Sequence, residues 1–118
     1  MQAAAAGLAI LTGALLPSVV LGQAGTADEV VAVEHSFAAR VRAAGMKAGF
    51  LEYLAPAGVV FRPGPVNDRE AYANAPASPV LLSWEPAVAD ISAAGDLAYS
   101  TGPFRVWAKA DAPVAGAG

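Results

Sequence analysis

Three side chains have the type and spacing to move a proton. Glu34 falls among Val30, Val33, Phe37 and Val41, apolar residues that recur three and four positions apart. A carboxylate inside such a stripe needs a donor or a cation facing it, and a carboxylate held in that way can act as a pocket acid or base. The structural alternative is a place at the stripe's edge, or an ion pair with Arg62. Asp90 and Tyr99 flank Gly95-Asp96, a dipeptide that suits a two-residue hairpin turn. That register sets Ser92 opposite Tyr99 and Asp90 opposite Thr101, and makes Asp90 and Tyr99 diagonal neighbours with Cβ atoms about 7–8 Å apart. An aspartate beside a phenol suits proton transfer next to a carbonyl, and the alternative is a solvated polar face. Glu34, Asp90 and Tyr99 are therefore the catalytic candidates.

A second group suits binding. Tyr53, Phe61, Trp84 and Trp107 are candidates to line an apolar cavity, although Phe61 and Trp84 read first as core. Arg62 and Arg105 are candidates to select an anionic group, with Arg105 equally suited to face water. The ligand-binding set is Tyr53, Arg62, Trp84 and Trp107.

Other chemistries lack their residues. There is no cysteine and one histidine, His35, which excludes disulfides, thiolate zinc sites and cysteine nucleophiles. His35 falls opposite the apolar stripe and reads as a surface group, so no metal and no cofactor site is expected. Neither Gly95-Asp96 nor Ala115-Gly116-Ala117-Gly118 has the lysine and following helix of a phosphate loop. The net charge of -3, with seven scattered basic residues, argues against nucleic acid as a partner.

The elements that must position these groups follow from period and punctuation. Thr26-Ala27-Asp28-Glu29 is a capping box that opens a helix running to about Ala44, with Val30, Val33, Phe37 and Val41 inward and Asp28, His35, Ala39 and Arg42 outward. Gly45 breaks it, and Met46 to Leu54 forms a second short helix stopped by Pro56. Val59 to Arg62 is a strand closed by Pro63-Gly64-Pro65, and Asn67 caps a third short helix with Glu70 in position to complete the cap. Val80–Glu85, Ala87–Ala93, Leu97–Gly102 and Phe104–Lys109 are strand-like runs separated by Pro86, Gly95-Asp96 and Pro103. Ala89, Ile91, Ala93, Ala98 and Ser100 make a face of small residues suited to packing on a helix. Ala110 to Gly118 reads as a loop or disordered tail.

Ahead of this domain, Met1 to Ala27 has no charged side chain, and Leu8 to Leu16 forms an apolar core ended by Pro17. Residues 1–24 read as a signal peptide cleaved after Ala24, and the expected location is exported: periplasmic or secreted, in a bacterial envelope. The alternative is an uncleaved membrane anchor, because Ala3 to Leu21 approaches the roughly 20 residues a span requires. The membrane is then a partner only through that leader.

Several local runs carry a family resemblance. Glu34 with Phe37-Ala38, Gly45 with Phe50-Leu51 and Leu54-Ala55, Phe61-Arg62-Pro63-Gly64-Pro65-Val66-Asn67, Trp84-Glu85-Pro86, and Gly95-Asp96-Leu97-Ala98-Tyr99 with Thr101-Gly102-Pro103 stand in that order. The span from Thr26 to Lys109 resembles SnoaL-like domains of the nuclear transport factor 2-like superfamily, in an exported subgroup of unknown function. The resemblance implies an α+β fold in which a cone-shaped, curved antiparallel sheet wraps the N-terminal helix, with a small apolar molecule at its mouth. It also implies that the strand bearing Trp107 is followed by a loop and at least one more aromatic-rich strand, and that this chain stops inside that loop. By that reading the chain is C-terminally truncated, the strand from Phe104 to Lys109 is an exposed edge, and the complete protein is a candidate homodimer. Two further functions stay open: an isomerase, dehydratase or cyclase using carboxylate acid–base chemistry, and a self-association or protein-interaction module.

Overall fold

The computed structural model describes residues 25–118, and the expected leader lies outside them. Over the described residues the chain is α+β, with three helices and antiparallel sheets that do not close. Helix α1 (Ala27–Ala44) opens on the expected capping box: Thr26 Oγ1 accepts from Glu29 N at 3.2 Å, and Glu29 Oε2 accepts from Thr26 N at 2.7 Å. Gly45, at φ 86°, ends it and leads directly into α2 (Met46–Tyr53).

The inward face of α1 is rotated from the expected one. Val33 is 57% exposed, and the inward line runs through half-buried Val30, Val31, Glu34 and Phe37 to fully buried Ala38 and Val41. Residues at 33 and 34 differ by about 100° around a helix, so the sheet-facing sector takes in Glu34 and leaves Val33 in solvent. Helix α2 folds back on the end of this line. A Cβ on Gly49 would lie 2.5 Å from Val41 Cγ2 and 2.8 Å from Val41 Cα, so the missing side chain is what lets the two helices approach. Arg40 Nε donates to Glu52 Oε2 at 2.5 Å across the same pair; both groups are exposed, and the bridge adds at most about 1 kcal/mol.

Strands β1 (Val59–Phe61) and β2 (Pro65–Asn67) form a two-stranded ribbon with Val60 opposite Val66. Only Val60 of β1 is half-buried. Phe61, on the alternate face, is 73% exposed and not core as its type suggested, because side chains alternate across a strand and the outward face of this ribbon is open. Asn67 ends β2 and caps α3 (Asp68–Asn74), its Oδ1 accepting from Glu70 N at 2.9 Å. Arg69 in α3 donates from Nη1 to the Leu51 and Leu54 carbonyls, at 2.5 and 2.8 Å, satisfying the C-terminal end of α2.

The remaining strands are β3 (Leu81–Trp84), β4 (Val88–Ile91), β5 (Ala98–Thr101) and β6 (Phe104–Trp107). β3 pairs with β6 and β4 with β5, as two legs of one long hairpin bridged by Glu85 N to Pro103 O at 3.2 Å and Ala87 N to Thr101 O at 2.9 Å. Between the pairs Trp84↔Phe104 and Val88↔Thr101, one strand advances four residues and the other three, and this mismatch bends the hairpin. Gly102 sits at the bend, where a Cβ would fall on the Glu85 carbonyl oxygen and lie 2.7 Å from Ala87 N. Helix α1 packs against β3, β4 and β5, so both legs hold it.

Two expectations about these strands are corrected. Asp90 pairs directly with Tyr99, and Ile91 with Ala98, instead of diagonally. The connection is longer than two residues: Ser92 N donates to Leu97 O at 2.8 Å, while Ser92 Oγ accepts from Asp96 N and Leu97 N and donates to Asp96 Oδ1. That hydroxyl organises a four-residue turn with Gly95 at φ 73°. Residues 110–118 are not a loose tail either, because Val114–Ala117 forms β7, paired with β6 and extended by reciprocal bonds between Phe104 and Gly118 at 2.8 and 3.3 Å. β6 is thus the central strand of the order β3-β6-β7 and not an edge. Backbone groups along β6 accept a strand whose own small residues have little preference for one.

Candidate functional site

Between α1 and the inner side of the bent hairpin lies a cleft of about 460 Å³, lined by Glu34, Phe37, Phe50, Leu82, Trp84 and Phe104 together with the bend of the hairpin from Ser100 to Gly102. Its position follows from the elements. The rotated face of α1 presents Glu34 and Phe37, α2 adds Phe50, alternation on β3 sends Leu82 and Trp84 to the same side, and Phe104 stands opposite Trp84 on β6.

Glu34 is held on both oxygens. Trp84 Nε1 donates to Oε2 at 2.8 Å and Ser100 Oγ donates to Oε1 at 2.8 Å, so one donor comes from each leg of the hairpin. A partly buried carboxylate with two neutral donors keeps its remaining lone pairs for whatever enters. Among the described residues that line this cleft, Glu34 is the one charged side chain. The lining rings and those behind them form one connected cluster: Phe37 meets Phe50 and Trp84 edge-on, each with centroids 4.9 Å apart, and stacks against Tyr53 at 4.8 Å. Phe50 stacks on Tyr72 at 4.6 Å, and the Arg62 guanidinium lies over Tyr72 at 4.8 Å. These contacts hold the wall in place and orient the edge of Trp84 toward Glu34.

The expected site residues are divided. Glu34 and Trp84 meet in the cleft. Glu34 has no contact with Arg62 of the kind considered from the sequence; Arg62 is occupied by Tyr72. Tyr53 supports the wall from behind and does not line it. Trp107 belongs to a separate cleft of about 470 Å³, with Val41, Arg42, Lys109 and Asp111. Asp90 and Tyr99 share a shallow outer recess, where Tyr99 is 58% exposed and Asp90 Oδ1 accepts from Ile91 N at 2.8 Å. They are a cross-strand pair on the solvent face, apart from Glu34. His35 is on the surface, with Nδ1 3.4 Å from Glu85 Oε2.

Ser100, Phe50 and Phe104 were not anticipated as lining residues. A signal for Ser100 was present: it is the hydroxyl on an otherwise apolar inward face, and a polar group on such a face needs a partner. Phe104 carried no such mark.

No helix among the described residues is long and apolar enough to cross a membrane, and no group of three or more His, Asp or Glu among them is placed to hold a metal ion. Fold and cleft together define the class: an α+β domain with open antiparallel sheets and an aromatic cleft built around one fixed carboxylate. No protein-family model, curated protein or solved structure matches the chain.

Proposed function

We propose that this chain is an exported small-molecule binding domain of the SnoaL-like, nuclear transport factor 2-like kind, whose cone is built on α1 and whose cleft takes a largely apolar ligand. The observation that carries the reading is the 460 Å³ cleft, which is within the size range of ligand sites and is walled by aromatic rings around one oriented carboxylate. Binding is favoured over acid–base catalysis by the same geometry. The pair suited to moving a proton next to a carbonyl, Asp90 with Tyr99, lies on the outer face of the hairpin, and the Trp84 N–H and Ser100 hydroxyl in the cleft are taken up by Glu34 itself, which leaves neither aimed at a reacting carbonyl.

Displacement of an environment-sensitive apolar dye from the purified protein tests the pocket. The dye should bind at one site, and Phe50→Ala or Phe104→Ala should weaken it several-fold. A protein that takes up no dye and no ligand from a metabolite pool overturns the reading. Export is tested separately by mass spectrometry of protein recovered from a bacterial periplasm, where the expected first residue is Gly25; a chain that retains Met1 contradicts cleavage.

A further inference from the structure

We infer that the ligand of the Glu34 cleft carries a protonated amine or equivalent organic cation, with the charge against Glu34 and the apolar body among the surrounding rings. The inference rests on the reading of the cleft as a small-molecule site.

Three observations converge on a cation. First, the polar anchor accepts and does not donate: Trp84 Nε1 and Ser100 Oγ each satisfy one lone pair of the Glu34 carboxylate, and the others are free for an entering donor. Second, the protein supplies no cation of its own there. Arg40 pairs with Glu52, Lys47 donates to the Ala75 carbonyl, Arg62 covers Tyr72 and Arg69 caps α2. Arg42 and Lys109 line the other cleft; Arg105 lines a groove that shares Trp84 and Phe104 with the Glu34 cleft, but it pairs with Ser83 on the alternate face of β3 and β6. Residues 1–24 contain no charged side chain at all. Third, the rings of Phe37, Phe50, Trp84 and Phe104 line the same space, and aromatic faces attract cations and do not attract anions. A carboxylate among aromatic rings is the arrangement that favours an alkylammonium over an alcohol of the same shape, and repels a carboxylic acid anion.

Isothermal titration of the full chain with phenylbutylamine, phenylbutanol and phenylbutyrate tests this, because the three share a body and differ in charge. The expected order is amine at least tenfold tighter than alcohol, with the anion weakest, and the amine's advantage should shrink as salt is raised. Glu34→Gln should bring amine and alcohol to within about threefold of each other. Phe104→Leu, at a rim position that is 42% exposed, should weaken the amine several-fold more than the alcohol. Equal affinity of the unsubstituted protein for amine and alcohol overturns the cation and leaves the apolar pocket standing. Binding of none of the three removes both. The comparison needs no variant to fold, since the ligand series is run on the native sequence.

Discussion

At the scale of single residues, the Glu34 carboxylate is the centre of the structure as well as of the cleft. It joins a helix to both legs of the hairpin through Trp84 and Ser100. Trp84→Phe keeps most of the ring and deletes the N–H, so Oε2 loses its donor. Because the group is only partly buried and water can reach it, the lost bond should cost near the low end for an unsatisfied acceptor, about 1 kcal/mol, added to the packing against Phe37 and Phe50 that the smaller ring gives up. A lowered urea midpoint with an unchanged slope is the expected result; an unchanged midpoint would mean that the bond contributes nothing. Glu34 was legible in the sequence because a charge within an apolar period is conspicuous. Its partners were not, since they lie 50 and 66 residues away and only the folded hairpin brings them together.

The elements separate into those specified locally and those specified by what they meet. The Thr26–Glu29 box and the Asn67 cap bond to residues three positions on, and both form as their spacing predicts. β7 has no such local instruction. Val114-Ala115-Gly116-Ala117 becomes a strand because β6 offers an unpaired ladder beside it, a tertiary cause that composition does not reveal. The hairpin register failed for a related reason: Gly95-Asp96 suggests a tight turn, but the Ser92 hydroxyl closes a longer one. Two glycines allow a test of packing against propensity. In a helix interior Gly→Ala ordinarily stabilises by about 0.5–1 kcal/mol, yet at Gly49 the added methyl meets the Val41 backbone. Gly49→Ala should therefore lower stability by about 1–3 kcal/mol in chemical denaturation, and a gain would show that α1 and α2 are not in the close contact described. Gly102→Ala should destabilise likewise and straighten the hairpin. In that variant the Trp84 indole N–H resonance should move as the bend opens and Glu34 loses its alignment, whereas an undisturbed resonance would separate the bend from the site.

At the scale of the whole molecule, the helices and strands expected from period and punctuation are present, while their assembly into separate two- and three-stranded sheets is a property of the bend and of β7. Among the described apolar residues, Ala38 and Val41 alone are fully buried, and Phe61 and Leu97 are each 73% exposed. So thin a core implies modest intrinsic stability, which makes the molecule sensitive to anything that binds only the folded state. A ligand in the cleft bridges α1, α2 and both legs of the hairpin at once, and those contacts have no counterpart in the unfolded chain. Phenylbutylamine at one hundred times its dissociation constant should add about 2.7 kcal/mol, which for a domain of 60–100 residues corresponds to a rise in Tm of about 10–20 °C. Phenylbutyrate at the same concentration should produce little change. Differential scanning calorimetry reads both, and a Tm that stays fixed while calorimetric titration shows saturation would place the amine on a surface shared by folded and unfolded chains, and not between the helix and the hairpin.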